Sequence, residues 1–205
     1  MEIAEFLDLI DQTLKSTTHR VLIGVVGKPG AGKSTVVESV KKRFPSQEVA
    51  IIPMDGYHLS DEVLISQGKR DRKGAPDTFD APRFTKLLQD VKVNIDSEIR
   101  FPIFHRELEA SVEDEGVISP EAKVVITEGN YLLSTEYGWA GVKELLDQSF
   151  YIEIDDEIRL QRLIDRHIRY GKSPEAAKAW SLGSDETNAR FIATTKDLAS
   201  AVINL

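Results

Sequence analysis

The sequence predicts an α/β fold in which helices cover both faces of a central, mainly parallel sheet. Two observations carry this expectation. Continuous apolar runs rich in β-branched residues, the mark of strands buried on both faces, recur between segments with helical spacing. A glycine-bearing turn joins the first such run directly to a helix.

The elements follow in order. Ile3, Phe6, Leu7, Ile10 and Leu14 recur at helical spacing with acids between them, which predicts an amphipathic helix over residues 3–15. Residues 21–27 (VLIGVVG) read as the first buried strand, and residues 34–43 as a helix that Pro45 stops. Further strands are expected at 48–53, 123–127 and 150–154, with helices at 82–91, 142–147 and 155–170. Residues 56–80 and 101–120 break this alternation. Both are polar and rich in turn formers, and they are expected to be long functional loops without regular structure.

The chain has 205 residues and shows no repeat or linker, so one domain spanning residues 1–205 is expected. Lys and Arg number 26 against 34 Asp and Glu; the net charge of −8 disfavours nucleic acid as a partner unless cations gather locally. The absence of cysteine excludes disulfides, thiolate metal sites and a cysteine nucleophile. The first residues carry acid where a signal peptide needs base, and the longest apolar run, residues 21–26, is too short to span a bilayer. A cytoplasmic protein without membrane contact is therefore expected. A homodimer is compatible with this composition, which does not fix the oligomeric state.

Directly after the first predicted strand stands Gly27-Lys28-Pro29-Gly30-Ala31-Gly32-Lys33-Ser34, followed by Thr35, a match to G-x-x-x-x-G-K-[ST]. Glycines let successive backbone N–H groups turn inward around phosphate oxygens. Lys33 would bring positive charge to the β- and γ-phosphates, Ser34 would offer a hydroxyl to Mg²⁺, and the helix beginning there adds its positive dipole end. The strand–loop–helix order makes this a P-loop NTPase pattern, with a nucleoside triphosphate and Mg²⁺ expected as its ligands. The guanine-reading N-K-x-D and the switch D-x-x-G are both missing; in Thr195-Lys196-Asp197 the acid comes one position too early. Phosphoryl transfer to a small acceptor fits such a compact chain best.

That chemistry needs acids at the C-terminal ends of parallel strands. Asp55 opens D-G-Y-H after the second strand and Glu128 opens E-G-N-Y after the third. Asp55 is assigned to the acceptor hydroxyl and Glu128 to the metal, and the glycine after each is read as making room for a ligand. Each acid also has a simpler reading, as a cap of a turn or helix. Arg159, Arg162, Arg166 and Arg169 fall within an arc of about 80° on the helix at 155–170. Leu160, Leu163, Ile164 and Ile168 fill the adjoining face, expected to be core. Arg162 and Arg166 repel one another at i,i+4 unless an anion lies nearby, so they are candidates for stabilising the transferring phosphate. Arg159 and Arg169 are read as ion pairs with Asp155 and Asp165. Gly171-Lys172-Ser173-Pro174 breaks the helix, which suits a lid over about residues 157–180.

Weaker signals surround these. The run Lys69, Arg70, Arg72, Lys73 fits an anionic ligand or a solvated loop equally. Asp77 to Asp80 lead into a helix start at Pro82. Phe104, His105 and Arg106 lie in a polar segment that could touch substrate. His58 and His167 read as structural histidines, and Glu113-Asp114-Glu115 as a solvated loop.

In that order, GKPGAGKST, MDGYHL, KGAPDTFD, PIFHRE, ITEGNYLL and RLIDRH resemble the uridine kinase / pantothenate kinase / phosphoribulokinase group of P-loop kinases. The resemblance is strongest to bacterial nucleoside/nucleotide kinase-like members, some called fructose transport system kinases. It runs from about residue 20 to 192 and implies a three-layer α/β kinase fold with a helical lid. It implies an ATP- and Mg²⁺-dependent kinase in which the P-loop Gly27, Gly30, Ala31, Gly32, Lys33, Ser34 and Thr35 holds nucleotide. Asp55 would act on the acceptor, Arg162 and Arg166 would serve as lid arginines, and Ser34 and Glu128 would stand at the metal. Asp55, Tyr57, His58, Asp77, Phe104, Arg106, Glu128 and Asn130 would form the acceptor site. Asp185 and Asn188-Ala189 resemble a late D-x-x-N-A stretch near the nucleotide. The segment reads DGYH where uridine kinases typically have DSFY, and His105 stands where related members tend to have an acid, so the small-molecule acceptor stays open. A non-catalytic ATP-binding regulator and a partner-stimulated NTPase are the alternative readings.

Overall fold

The computed structural model describes all 205 residues. Five parallel strands form the central sheet: β1 (Val21–Val26), β2 (Val49–Pro53), β5 (Val124–Gly129), β6 (Gln148–Glu153) and β7 (Ala201–Asn204), in the order β2-β5-β1-β6-β7. A separate antiparallel hairpin consists of β3 (Ile99–His105) and β4 (Ala110–Ile118). The helices are α1 (Ile3–Ser16), α2 (Lys33–Arg43), α3 (Asp61–Ser66), α4 (Ala81–Val93), α5 (Val142–Leu145), α6 (Asp156–Arg169), α7 (Pro174–Trp180) and α8 (Glu186–Ala193). None is long and apolar enough to cross a membrane.

Period-two alternation along the strands builds the three layers. In β1, Val21, Ile23 and Val25 join Phe6 and Ile10 of α1 and Val36 and Val40 of α2, while Leu22 and Val26 face the opposite core. That second core takes Phe84 and Leu88 from α4, Val142 from α5 and Ile192 from α8. All six residues of β1 are buried, which is why the run carries no polar face. Arg20, just before β1, is buried too. Its guanidinium donates to the carbonyls of Val91 and Asn94 at the end of α4 and of Ser119, Pro120 and Ala122 before β5, so it ties these two segments to the start of β1.

Several expectations need correction. Residues 101–120 are not an unstructured loop: they hold most of the β3–β4 hairpin, with a register shift between Phe101 and Ile103 around Pro102. The acidic Glu113 and Glu115 lie in β4, where they pair with Arg83 and His105. Residues 56–80 are likewise ordered, by α3 and short 3₁₀ turns at Met54–Tyr57, Arg70–Arg72 and Pro76–Thr78. The basic run within them is ion-paired, with the Lys73 side chain nearly buried and those of Arg70 and Arg72 still partly exposed. Arg72 and Lys69 pair with Asp77, and Arg70 and Lys73 with Asp61.

On α6 only Leu163 and Arg159 are buried, and Ile168 is exposed, so the expected apolar stripe is only partly core. Arg159 pairs with Asp156 and Glu186 rather than Asp155, whose carboxylate instead caps the helix. Asp165 accepts from Gln161, not from Arg169.

Candidate active site

The P-loop lies between β1 and α2, where Gly30 and Gly32 take φ of +81° and +98°, conformations that disfavour any residue with a Cβ. Lys33 curls back over this turn. Its Nζ donates to the carbonyls of Gly27 (2.8 Å) and Lys28 (3.3 Å) and to Oδ1 of Asn130 (2.6 Å). Two ties fix the loop against α6: Lys28 pairs with Asp156 at 2.7 Å, and the Arg159 guanidinium donates to the Pro29 carbonyl at 3.3 Å.

The loop forms one side of a cavity of about 700 Å³ at the C-terminal ends of β1, β2 and β5. Gly30, Gly32, Lys33, Ser34, Thr35, Asp55, His58, Phe104, Arg106, Glu128, Asn130, Arg162 and Arg166 all line it. Gly27 and Ala31 lie in the same turn without lining the cavity. Two further candidates fall outside the lining. Tyr57 is buried and packs edge-on against Phe84, and Asp77 is held by Arg72 and Lys69.

Asp55 sits in the 3₁₀ turn that follows β2 and accepts a 2.7 Å hydrogen bond from Arg106, which emerges at the hairpin tip. Gly56 does not make room for a ligand: a Cβ there would stand 2.1 Å from the Pro102 carbonyl oxygen, so the glycine admits the hairpin backbone. A Cβ on Gly129 would likewise meet the Met54 side chain at 2.6 Å. Glycine after each acid therefore reflects internal packing, not ligand space.

Charge and burial set the proton affinities of the cavity floor. Burial alone would raise the Asp55 carboxyl, but His58, Arg106, Lys33 and Arg166 outweigh it and hold it below the ordinary carboxylate range. Burial, reinforced by the Asp55 charge, pushes Glu128 up. Burial also lowers Lys33 to about 8, despite the attraction of Glu128 and Asp55. The desolvated His58 ring is pushed towards its neutral form, and its Nδ1–H donates to the Asp55 carbonyl at 2.7 Å.

The donor set fits a hard divalent cation. No protein group hydrogen-bonds the carboxylate of Glu128 or the hydroxyl of Ser34, and both line the cavity. No group of three or more acidic or histidine side chains converges as a metal cage. Mg²⁺ takes one or two protein oxygens and completes its shell with phosphate and water, a number that Ser34 and Glu128 can supply.

The far wall carries aromatic rings. His58 lies 4.1 Å from Phe79 and 4.7 Å from Phe104, centroid to centroid. Sequence reasoning did not single out Phe79, Glu109 or Trp180, all of which line the cavity. Phe79 lies within the KGAPDTFD motif, but only the isolated bridge that pairs it with His58 shows that it stands at the cavity. On the lid side, His167 on α6 bonds Asp185 at 2.6 Å, and Asp185 and Asn188 also line the cavity.

Residues 22–205 match the phosphoribulokinase / uridine kinase family. The chain is 34% identical over 180 residues to a candidate uridine kinase of Schizosaccharomyces pombe, covering 83% of this chain and 77% of that one. It is 30% identical over 173 residues to a pantothenate kinase of Rhodopseudomonas palustris, covering 80% of this chain and 53% of that one. A solved structure described as a candidate fructose transport system kinase of Silicibacter sp. TM1040 superposes with a TM-score of 0.85 at 30% identity, covering 98% of both chains. Two of these names print an acceptor, uridine and pantothenate, and the third prints a fructose transport system. The chain belongs to the phosphoribulokinase / uridine kinase family.

Proposed function

We propose that this protein is an ATP-dependent kinase that transfers the γ-phosphoryl group to a hydroxyl of a small metabolite. The observation that supports this reading best is convergence: Lys33, Asp55, Glu128, Arg162 and Arg166 come from four separate segments and face one cavity. Phosphoryl transfer asks a protein mainly for positioning and for charge that offsets the transferring group.

In this reading Asp55 holds the acceptor hydroxyl. Its oxygen bonds to the γ-phosphorus as the bond from that phosphorus to the β,γ-bridging oxygen breaks. The hydroxyl proton passes to the Asp55 carboxylate, and the bridging oxygen leaves with its electron pair on ADP. Because Asp55 is a weak base, its part is mostly orientation, with the proton moving late. Lys33, Arg162 and Arg166 offset charge on the transferring phosphoryl group. Mg²⁺ held by Ser34 and Glu128 would neutralise the phosphate oxygens when bound.

The test is ADP release from ATP and Mg²⁺ across a panel of nucleosides, sugars, polyols and hydroxy acids, run beside Lys33→Ala and Asp55→Ala. One acceptor is expected to raise turnover well above the rate with water, and both variants to abolish that increase. ATP binding with no acceptor-dependent turnover would favour a nucleotide-binding regulator instead.

A further inference from the structure

We propose that the acceptor is uncharged: a hydroxylated molecule that bears neither carboxylate nor phosphate. The inference rests on the kinase reading above and names the class of its substrate.

The cations of the cavity divide into two groups. Arg162, Arg166, Arg169 and Lys172, from α6 and the turn after it, line the cavity, and none of them pairs with a carboxylate. They stand ready for an anion, and Arg166, whose charge also reaches Asp55 and Arg106, stands where the transferring phosphoryl group would meet the acceptor. On the opposite wall every cation is already engaged. Arg106 donates to Asp55 at 2.7 Å. Lys73 pairs with Asp61 at 2.7 Å and Glu109 at 3.5 Å, and Arg70 pairs with Asp61 at 2.7 Å.

The first wall serves as an internal control for the second. This chain leaves cations unpaired where it would bind phosphate, so its pairing of those on the acceptor side is a property of that wall. An acceptor anion would have to take Lys73 from two carboxylates. The Lys73 side chain is only 7% exposed, so an acceptor anion would have to displace partners already close to a nearly buried charge. Asp55 and Glu109 would also repel an anion directly.

What this wall offers is suited to neutral ligands. Carboxylate oxygens of Asp55 and Glu109 can accept hydrogen bonds from hydroxyls. The tilted rings of His58, Phe79 and Phe104 together give an aromatic surface against which an apolar face can rest.

The experiment uses matched neutral and anionic acceptors with the full chain, ATP and Mg²⁺. The pairs are a nucleoside against its monophosphate, a hexose against its phosphate ester, pantothenol against pantothenate, and glycerol against glycerate. The expected result is turnover with a neutral member at a kcat/KM about tenfold or more above its anionic counterpart. Preference for an anionic member would overturn the inference and leave the kinase reading intact. Failure of both members of every pair, with ATP still binding by calorimetry, would overturn the kinase reading and the inference with it.

Asp61→Asn supplies a second arm, because Asp61 lies outside the cavity lining and its loss frees Arg70 and leaves Lys73 only the longer contact to Glu109. It is expected to narrow the discrimination by about tenfold through gain on the anionic members. Asp61→Ala makes the same measurement if Asp61→Asn does not fold. Unchanged discrimination in a folded variant would overturn charge pairing as its cause.

Discussion

The two walls of the cavity are built by opposite means. The P-loop wall comes from one unbroken stretch, residues 27–35, together with one side of α6. Its geometry is local: two glycines with positive φ, a lysine folded back onto their carbonyls, and a helix starting at once. The opposite wall gathers Asp55, Lys73, Phe79 and Arg106 from the 3₁₀ turn after β2, the ordered loop that follows α3, and the hairpin tip. No short segment defines it. A contiguous motif carries its own shape, whereas a distributed wall exists only when distant elements dock correctly.

The comparison can be broken most severely at the P-loop wall. Lys33→Ala is expected to lower phosphoryl transfer by roughly 10³- to 10⁵-fold, the scale of removing a cation from a phosphoryl-transfer site. The coupled ADP assay reads it; retained turnover would mean that the P-loop lysine does not meet the phosphate.

Asp55→Asn comes next, with an expected loss of about 10²- to 10⁴-fold in turnover, the span of a positioned acid–base group. Nucleotide affinity, measured by calorimetry, should change little, because Asp55 belongs to the other wall. Equal damage to nucleotide binding would merge the two walls into one.

Gly56→Ala tests the docking itself. The added Cβ would collide with the Pro102 carbonyl, so the hairpin must shift and carry Arg106 away from Asp55. About a tenfold fall in kcat/KM is expected with ATP binding retained, given what small misplacements cost in catalysis. A Gly→Ala change where nothing lies near the added atom, as at Gly183 in the π-helical segment Ser181–Asp185, should leave kcat/KM unchanged.

The smallest effect is the pH dependence of stability. Lys33 has a pKa of about 8 in the folded protein against 10.5 unfolded, so between these values the unfolded chain binds more protons and stability rises with pH. Below about 8 the folded protein carries the buried charge at full cost. Lys33→Met should therefore raise the melting temperature at neutral pH, and this gain should shrink as pH climbs towards 10.5. A gain that is constant across that range would rule out the desolvated lysine as its source.

The same contrast explains what could be read in advance. Strands β1, β2, β5 and β6 are apolar runs buried on both faces, so sequence and structure agree there. The P-loop was legible because a spacing rule and a strand–helix context coincide. The hairpin was not: Pro102 interrupts β3, and β4 carries Glu113, Asp114 and Glu115 on a strand that is mostly exposed. The short β7 at Ala201–Asn204 and helices α7 and α8 escaped as well. A π-helical segment at Ser181–Asp185 containing Gly183 obscures the periodicity between those two helices.

Among the candidate residues, Tyr57 and Asp77 sit beside true lining residues in sequence yet turn inward or onto neighbouring cations. Nothing in D-G-Y-H says that the histidine faces the cavity and the tyrosine the core. Alternation across a single turn is set by the packing of α4 and the hairpin, which no local pattern records.

The central claim is that the γ-phosphoryl group goes to an acceptor hydroxyl held at Asp55. Phosphorus NMR of the full chain with ATP, Mg²⁺ and a neutral acceptor tests it most directly, because it separates a phosphate ester from free phosphate. The account predicts an ester resonance that grows with ADP and is lost in Asp55→Asn while ATP still binds. Free phosphate as the sole product with every acceptor, or an ester formed equally well by Asp55→Asn, would contradict it.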